Sequence, residues 1–564
     1  MEHRDITPDQ APLRPATEVM RLARMGSFHQ SRLSFMRILL RRLSAERWRF
    51  TTPLFDINAR GEGTAVYTAH GPGRSYSLVA FAHDLPADQR SDRVIATAWD
   101  ATFALFDGIP TEADITRLRA NVPLQEAGRV TETELSLSRA NRSVRLWEHV
   151  VSALARGEQP DAAMITDVGY LMRTTAVYGS GKFGAADRAA TCTRPEFQAP
   201  FQIEMLNVFL IRAFVMDLVE HLARLRAPKA AVPLEPALRR RFGIGNSTGL
   251  GMAPYLLNHP ALLNNWIAAR ETALARVRAL PSATPQEAAG FATLVKRAQI
   301  HADEWRSDHP AQIAKLADLR GDLAALIARL AALPLTGPTP WNALWLWAEG
   351  ALSLEGQEAL ASLMMEPHGA LVDDLSAGMA CEEAVYWRID GAMTCDELRT
   401  VVDAIYDWAL ATDWTDRATQ ARVWYVSEAK LEPRLGPRWD EPLAPYEQPL
   451  CPGRDAALMR ADLEDADGTV AAFLMAHPEH RHIVRRAQIA AKLPYAEIRD
   501  NTIAEDVLPI DMLRAKLSFF GACHFDPRSD RWVRITMFQH APFPSEIAAG
   551  GAADDWTYPP LGSA

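Results

Sequence analysis

The chain holds 564 residues with a formal net charge of -10, 48% apolar and 23% charged side chains. That length exceeds the usual reach of one hydrophobic core and predicts two or three domains, and the composition excludes a disordered or fibrous chain. An acidic balance gives no basic field for a polyanion, so nucleic acid is excluded as a partner, whereas a small anion needs only a local cluster of positive charge.

Residues 1 to 15, with three prolines and no apolar period, read as a flexible tail. The start "MEHRDITPDQAPLRPAT" lacks the basic flank and apolar run of a secretory signal, so a cytoplasmic protein is expected. A long helix is predicted from Ala16 to Trp48. On it Met25, His29, Arg32, Met36, Leu39 and Leu43 form a seam whose spacing turns one face inward. His29 and Arg32 therefore take core-facing slots, and an arginine there needs either an acid or a bound anion as partner.

Strand-like runs follow, "WRFTTPLFDI", "GTAVYTAH" and "SYSLVAFAH", separated by the turn signals "NARGEG" and "GPGR" and extended by residues 93 to 108. They define an antiparallel meander within an N-terminal unit, 16 to 139. From 140 to 335 the pattern is helical. Its most apolar stretch, "FQIEMLNVFLIRAFVMDLVEHL", is interrupted by Glu204, Arg212, Asp217 and Glu220, which makes it a buried core helix and not a membrane span.

Only seven of the 60 basic residues are lysine, so a lysine at a structured position draws notice. Lys182, in "YGSGKFG", sits on a loop hinged by glycines and is positioned to close over an anion, or else is a solvated loop lysine. Further on, "RRRFGIGNSTGLG" places four glycines in the nine positions 243 to 251 after Arg239, Arg240 and Arg241. The spacing matches neither the dinucleotide fingerprint nor the P-loop. An irregular loop remains, either a plain interhelical corner or an anion cradle in which backbone N–H groups, Asn246, Ser247, Thr248 and nearby Arg241 and His259 converge.

The prolines and glycine of "PLTGPTPWN", 334 to 342, mark a boundary, and 340 to 564 reads as a mostly helical region ending in the strand "RWVRITMF". "HPEHRHIVRR" offers His477, His480 and His482, but the Pro-Glu pair marks a wet first helical turn, and no metal centre is expected there. Five scattered cysteines without a C-x-x-C pair exclude a disulfide framework and a zinc ribbon. Cys523 and His524 are adjacent and point apart, which disfavours a thiol nucleophile. Lys516 has Met512, Leu513, Phe519 and Phe520 as helical neighbours, so it either extends its amine to solvent or is desolvated and suited to base or imine chemistry; Arg514 is the more solvent-facing of the two.

The expected fold is mainly α (α+β): a large multi-helix body with a small antiparallel β-meander near the N-terminus. The expected function is a cytosolic enzyme acting on a small carboxylate or phosphate metabolite, with Lys516, Lys182 and His29 as catalytic candidates. Arg32, Arg241, Asn246, Ser247, Thr248 and His259 are the substrate-binding candidates. No cofactor, reaction class or oligomeric state is encoded in a recognisable motif. The alternative is a non-catalytic helical binding or assembly protein whose 15 tryptophans supply contact surface.

Overall fold

The structure, a computed structural model, describes residues 13–86, 98–124, 128–174, 188–246, 259–305, 310–380, 387–420, 424–427, 432–435, 451–499, 514–522, 524–527, 533–550 and 554–558. Its centre is a nine-stranded mixed sheet, which corrects the expectation of a mainly α protein with a small N-terminal meander. Six strands run in sequence order, β1 (Arg49–Ile57), β2 (Gly63–His70), β3 (Ser75–Ala82), β4 (Ala101–Asp107), β5 (Glu134–Arg142) and β6 (Tyr170–Thr174). The sheet continues through β7 (Gly243–Asn246) and then β11 (Val533–Met537) and β10 (His524–Pro527); β8 (Trp424–Ser427) and β9 (Glu432–Leu435) form a separate two-stranded ribbon. Neighbours are antiparallel except β6 and β7, which run parallel.

That parallel pair needs a crossover, and the helix Gln202–Arg226 lies in it. This helix packs along one face of the sheet. Asn207 donates to Ser138 Oγ on β5 at 3.0 Å, Tyr67 on β2 donates to Asp217 at 2.8 Å, and Phe214 meets the rings of Tyr67 and Phe103 edge-on. The short helix Glu112–Asn121 covers the other face. The period of two along each strand divides the side chains between two cores: Tyr67, Leu78, Ala80, Phe103 and Leu105 join the main core, while Val66, Val79, Phe81, Ala104 and Phe106 pack on Leu118 and Val122.

The strands β6 and β7 lay inside a pattern that read as helical. The helix actually spans Ala162–Val168 and stops at Gly169, and strands of only four and five residues carry too little period to separate strand from helix. The predicted loop at 243 to 251 is thus a strand over its first four residues, and the rest lies outside the described residues. Its glycines serve close packing. A Cβ on Gly245 would lie 2.7 Å from the Tyr170 ring, and one on Gly243 2.3 Å from the carbonyl oxygen of Met537.

The helices Pro260–Arg278, Pro285–Glu304, Pro310–Ala332, Pro340–Ala351 and Leu354–Met364 form the body beside the sheet and share its main core, which runs through Leu326, Leu330, Leu335 and Trp341 across the 334 to 342 segment. Helices Cys395–Ile405, Pro452–Asp462, Val470–Ala476 and Arg481–Ala490 enclose a second core of their own, around Leu398, Val402, Met459, Phe473 and Val484. Ala261, Ile489 and Ala496 join the two bodies. Of the predicted tail, 1 to 15, residues 1 to 12 lie outside the described residues, while Arg14 departs from the expectation: it is buried and ion-paired to Glu271 and Glu358 at 2.7 Å each. No described helix is long and apolar enough to cross a membrane.

Candidate functional site

The predicted long helix from Ala16 is broken into Ala16–Val19, Leu22–Met25 and Phe35–Ala45. Gly26 accounts for one break: its backbone lies against that of Arg514, where a Cβ would come within 2.3 Å of the carbonyl carbon. Ser27 then donates two hydrogen bonds, its N–H to Ser518 Oγ at 2.9 Å and its hydroxyl to the His29 carbonyl at 2.9 Å. The non-helical segment so fixed delivers His29 to the interior, with only 4% of its surface exposed.

Opposite stands Glu366, in the proline-containing turn Glu366–His368 that follows the helix Leu354–Met364. Its carboxylate receives both terminal nitrogens of Arg37, at 2.5 and 2.6 Å, and Nε2 of His29 at 3.3 Å. Although burial opposes its charge, the Arg37 guanidinium and these hydrogen bonds hold the Glu366 carboxyl well below the ordinary range. A carboxylate only accepts, so Nε2 of His29 carries the proton and Nδ1 keeps its lone pair. Burial is the largest influence on His29 and lowers its pKa, the Glu366 bond opposes this, and Arg37 adds to it. The imidazole is therefore neutral at pH 7.

Arg32 forms a two-pronged bond to Asp373, at 2.7 and 2.8 Å, and reaches Asp554 at 3.0 Å. Arg41 reaches the same Asp554 at 3.4 Å. Three guanidiniums, of Arg32, Arg37 and Arg41, thus meet three carboxylates, of Glu366, Asp373 and Asp554. The cluster is neutral overall, and Arg32 already has the acid partners that its core-facing position demanded.

A narrow pocket opens beside this cluster, lined by Phe28, His29, Ala298, His301, Ala302, Trp305, Leu319, Leu323, Ala359, Leu363 and Tyr558. Its cavity volume of about 20 Å³ is little more than the room one water needs, so only the tip of a ligand could enter without the walls giving way. The rings of His29 and Tyr558 stack at 4.5 Å with an interplanar angle of 15°, and His301 stands edge-on to Tyr558 at 5.4 Å. Trp305 donates to Nε2 of His301 at 3.0 Å, which leaves the proton of that neutral imidazole on Nδ1. Burial, and then the Glu366 charge, push the Tyr558 phenol well above its usual pKa, so it stays protonated. Among the described residues neither Nδ1 of His29 nor the Tyr558 hydroxyl has a hydrogen-bond partner.

Of the site residues proposed from sequence, His29 lines this pocket and Arg32 adjoins it. Arg241 ends the helix Pro236–Arg241 half-buried, Asn246 ends β7 paired with Ile535 and Thr174, and His259 precedes the helix Pro260–Arg278. None of these three lines the pocket. The expected cradle is absent over Gly243–Asn246: Gly243 donates to the carbonyl of Gly169 at 2.8 Å, while Arg239 pairs with Asp217 and Glu220, and Arg240 with Glu546. Lys182, Ser247 and Thr248 lie outside the described residues. Lys516 begins a π-helical turn, Lys516–Phe520, with its side chain outside the description. Arg514, expected at the surface, is fully buried and donates to the carbonyls of Ala23 and Gly26 at 2.8 and 2.9 Å. Arg514 precedes that turn, and the carbonyls of Ala23 and Gly26, nearly 500 residues earlier, draw its guanidinium inward where no local spacing could foretell it.

Sequence reasoning missed Arg37, Glu366, His301 and Tyr558. Arg37 inside the apolar run "FMRILL" and the His301, Trp305 pair one helical turn apart were available signals. Comparison with protein-family models, with curated proteins and with solved structures finds no match to the chain.

Proposed function

We propose that the His29 pocket is the ligand site of an enzyme that transfers a proton, with Nδ1 of His29 as general base and Tyr558 as hydrogen-bond donor. The observation that carries this reading is that two buried residues line one largely apolar pocket, His29 with Nδ1 and Tyr558 with its hydroxyl unengaged among the described residues. Glu366 fixes the tautomer of His29 and Arg37 keeps Glu366 ionised, the division of labour that general-base histidines require. The ligand this favours has a slim apolar end bearing one acidic hydrogen, because the arginines nearby are already neutralised by carboxylates. That same neutralisation supports the second reading, a non-catalytic binding protein whose charged groups are structural.

The test incubates the protein with a metabolite extract in D2O and identifies retained compounds by mass spectrometry. An enzyme of this kind retains a compound and places deuterium in it. His29→Asn abolishes the deuterium uptake while retention persists, and Ala359→Leu, which fills the pocket, abolishes both. Retention without deuterium uptake supports the binding protein, and retention unchanged in Ala359→Leu rules the pocket out for either reading.

A further inference from the structure

The second helical body carries a cluster remote in sequence from the pocket residues. Helices Pro452–Asp462 and Val470–Ala476 contribute to one core, and the 3-10 turn Pro478–His480 follows the second of them. Four side chains meet there, those of Asp462, His477, Glu479 and His480, with one ligand atom from each lying within 4.8 Å of all the others. Oδ2 of Asp462 lies 2.7 Å from Nε2 of His480 and 3.8 Å from Nδ1 of His477, and Oε1 of Glu479 lies 3.5 Å from the same Nδ1.

Each member is held by the local fold. The backbone N–H of His477 closes the helix Val470–Ala476 by donating to Phe473 at 2.8 Å, and Pro478 then fixes the tight turn that brings His480 back beside it. Phe473 stacks on both imidazoles, at 4.9 and 5.8 Å, which sets their planes. Asp462 is the last residue of its helix, where the negative end of the helix dipole disfavours a carboxylate. Yet among the described residues neither Asp462 nor Glu479 has an arginine or lysine partner; nearby Arg460 turns instead to Asp403 and Glu464. Two carboxylates, a helix C-terminus and two imidazoles thus concentrate negative potential and lone pairs on one point.

We infer that Asp462, His477, Glu479 and His480 bind a divalent transition metal of the zinc type. Two nitrogen and two oxygen ligands suit zinc, and bonds of ~2.0 Å in a tetrahedron place ligand atoms about 3.3 Å apart, inside the spread observed here. The required movement is a contraction of the longest spans, up to 4.8 Å, by about 1.5 Å and the parting of the Asp462–His480 hydrogen bond. The ion neutralises both carboxylates and ties the end of helix Pro452–Asp462 to the turn that opens helix Arg481–Ala490. Magnesium, which prefers six oxygens, is a poor fit.

The test titrates ZnCl2 into the untagged, chelator-treated full chain by calorimetry, with thermal melts in ZnCl2 and in MgCl2. One zinc per chain and a melting point raised by zinc alone are expected. Asp462→Asn and His477→Ala each weaken the affinity at least about tenfold, whereas Glu464→Gln, an exposed carboxylate outside the cluster, leaves it unchanged. Glu479→Gln, at an exposed position, serves where another variant fails to fold, and weakens zinc in the same way. No stoichiometric zinc, an equal response to magnesium, or affinity indifferent to Asp462→Asn, His477→Ala and Glu479→Gln overturns the inference.

Discussion

Glu358→Gln tests the buried charge cluster that anchors the N-terminal segment. Glu358 is 2% exposed and receives Arg14 at 2.7 and 3.2 Å and Arg24 at 3.1 Å, with Arg270 3.7 Å away. Burial opposes its charge, but the guanidiniums of Arg14 and Arg270 outweigh this and bring its pKa down to about 2 from an ordinary 4.5. Glutamine has the shape of the protonated acid, so the substitution removes the benefit of ionisation. That difference corresponds to about 3 kcal/mol at pH 7. Because the folded-state value is depressed, the contribution is fully present above about pH 4.5 and is lost as the pH falls through about 2. Guanidinium titrations of wild type and variant at steps between pH 7 and pH 3 read the gap directly. A gap below about 1 kcal/mol at neutral pH, or one that does not narrow below pH 4.5, refutes the account.

Gly26→Ala forces a methyl group into the Arg514 backbone and lowers stability by about 1–3 kcal/mol, with the thermal midpoint as readout; wild-type stability shows that the contact relaxes freely. The same variant displaces the segment carrying His29, so it also weakens ligand retention at the pocket. Burial places the His29 titration below pH 6.5, followed by the ring-proton shift in NMR. The neutral form is the one favoured in the fold, so its contribution to stability holds above about pH 6.5 and declines as the pH falls; a midpoint at or above 6.5 removes the reason for assigning it a base's role.

What the sequence could convey depended on the range over which each signal acts. β1, β2 and β3 form where "NARGEG" and "GPGR" punctuate period-two runs, since both signals are local. β7 is four residues long, and its strand character comes from β6, β11 and the Tyr170 ring that Gly245 must clear, none of which is nearby in sequence. The seam from Met25 to Leu43 shows a mixed case. Met25, His29, Met36, Leu39 and Leu43 are buried although the helix that predicted this is interrupted, because the turn at Gly26 to Ser34 keeps the chain against the same core. His29 was visible as a polar residue in an apolar frame. Its partners Glu366 and Tyr558 were not, since they lie more than 300 residues away and no local period refers to them.

The position of β11 between β7 and β10 sets a schedule for synthesis. Asn246 waits for Ile535, 289 residues later, before its flank is covered. At translation rates of about 5–20 residues per second that interval is roughly 15–60 s. Throughout it the nascent chain carries β7 as an uncapped template for stray strands. Ribosome-bound chains arrested before residue 533 are therefore the species most in need of a chaperone, and the final segment acts as a latch that retires the hazard when it leaves the exit tunnel.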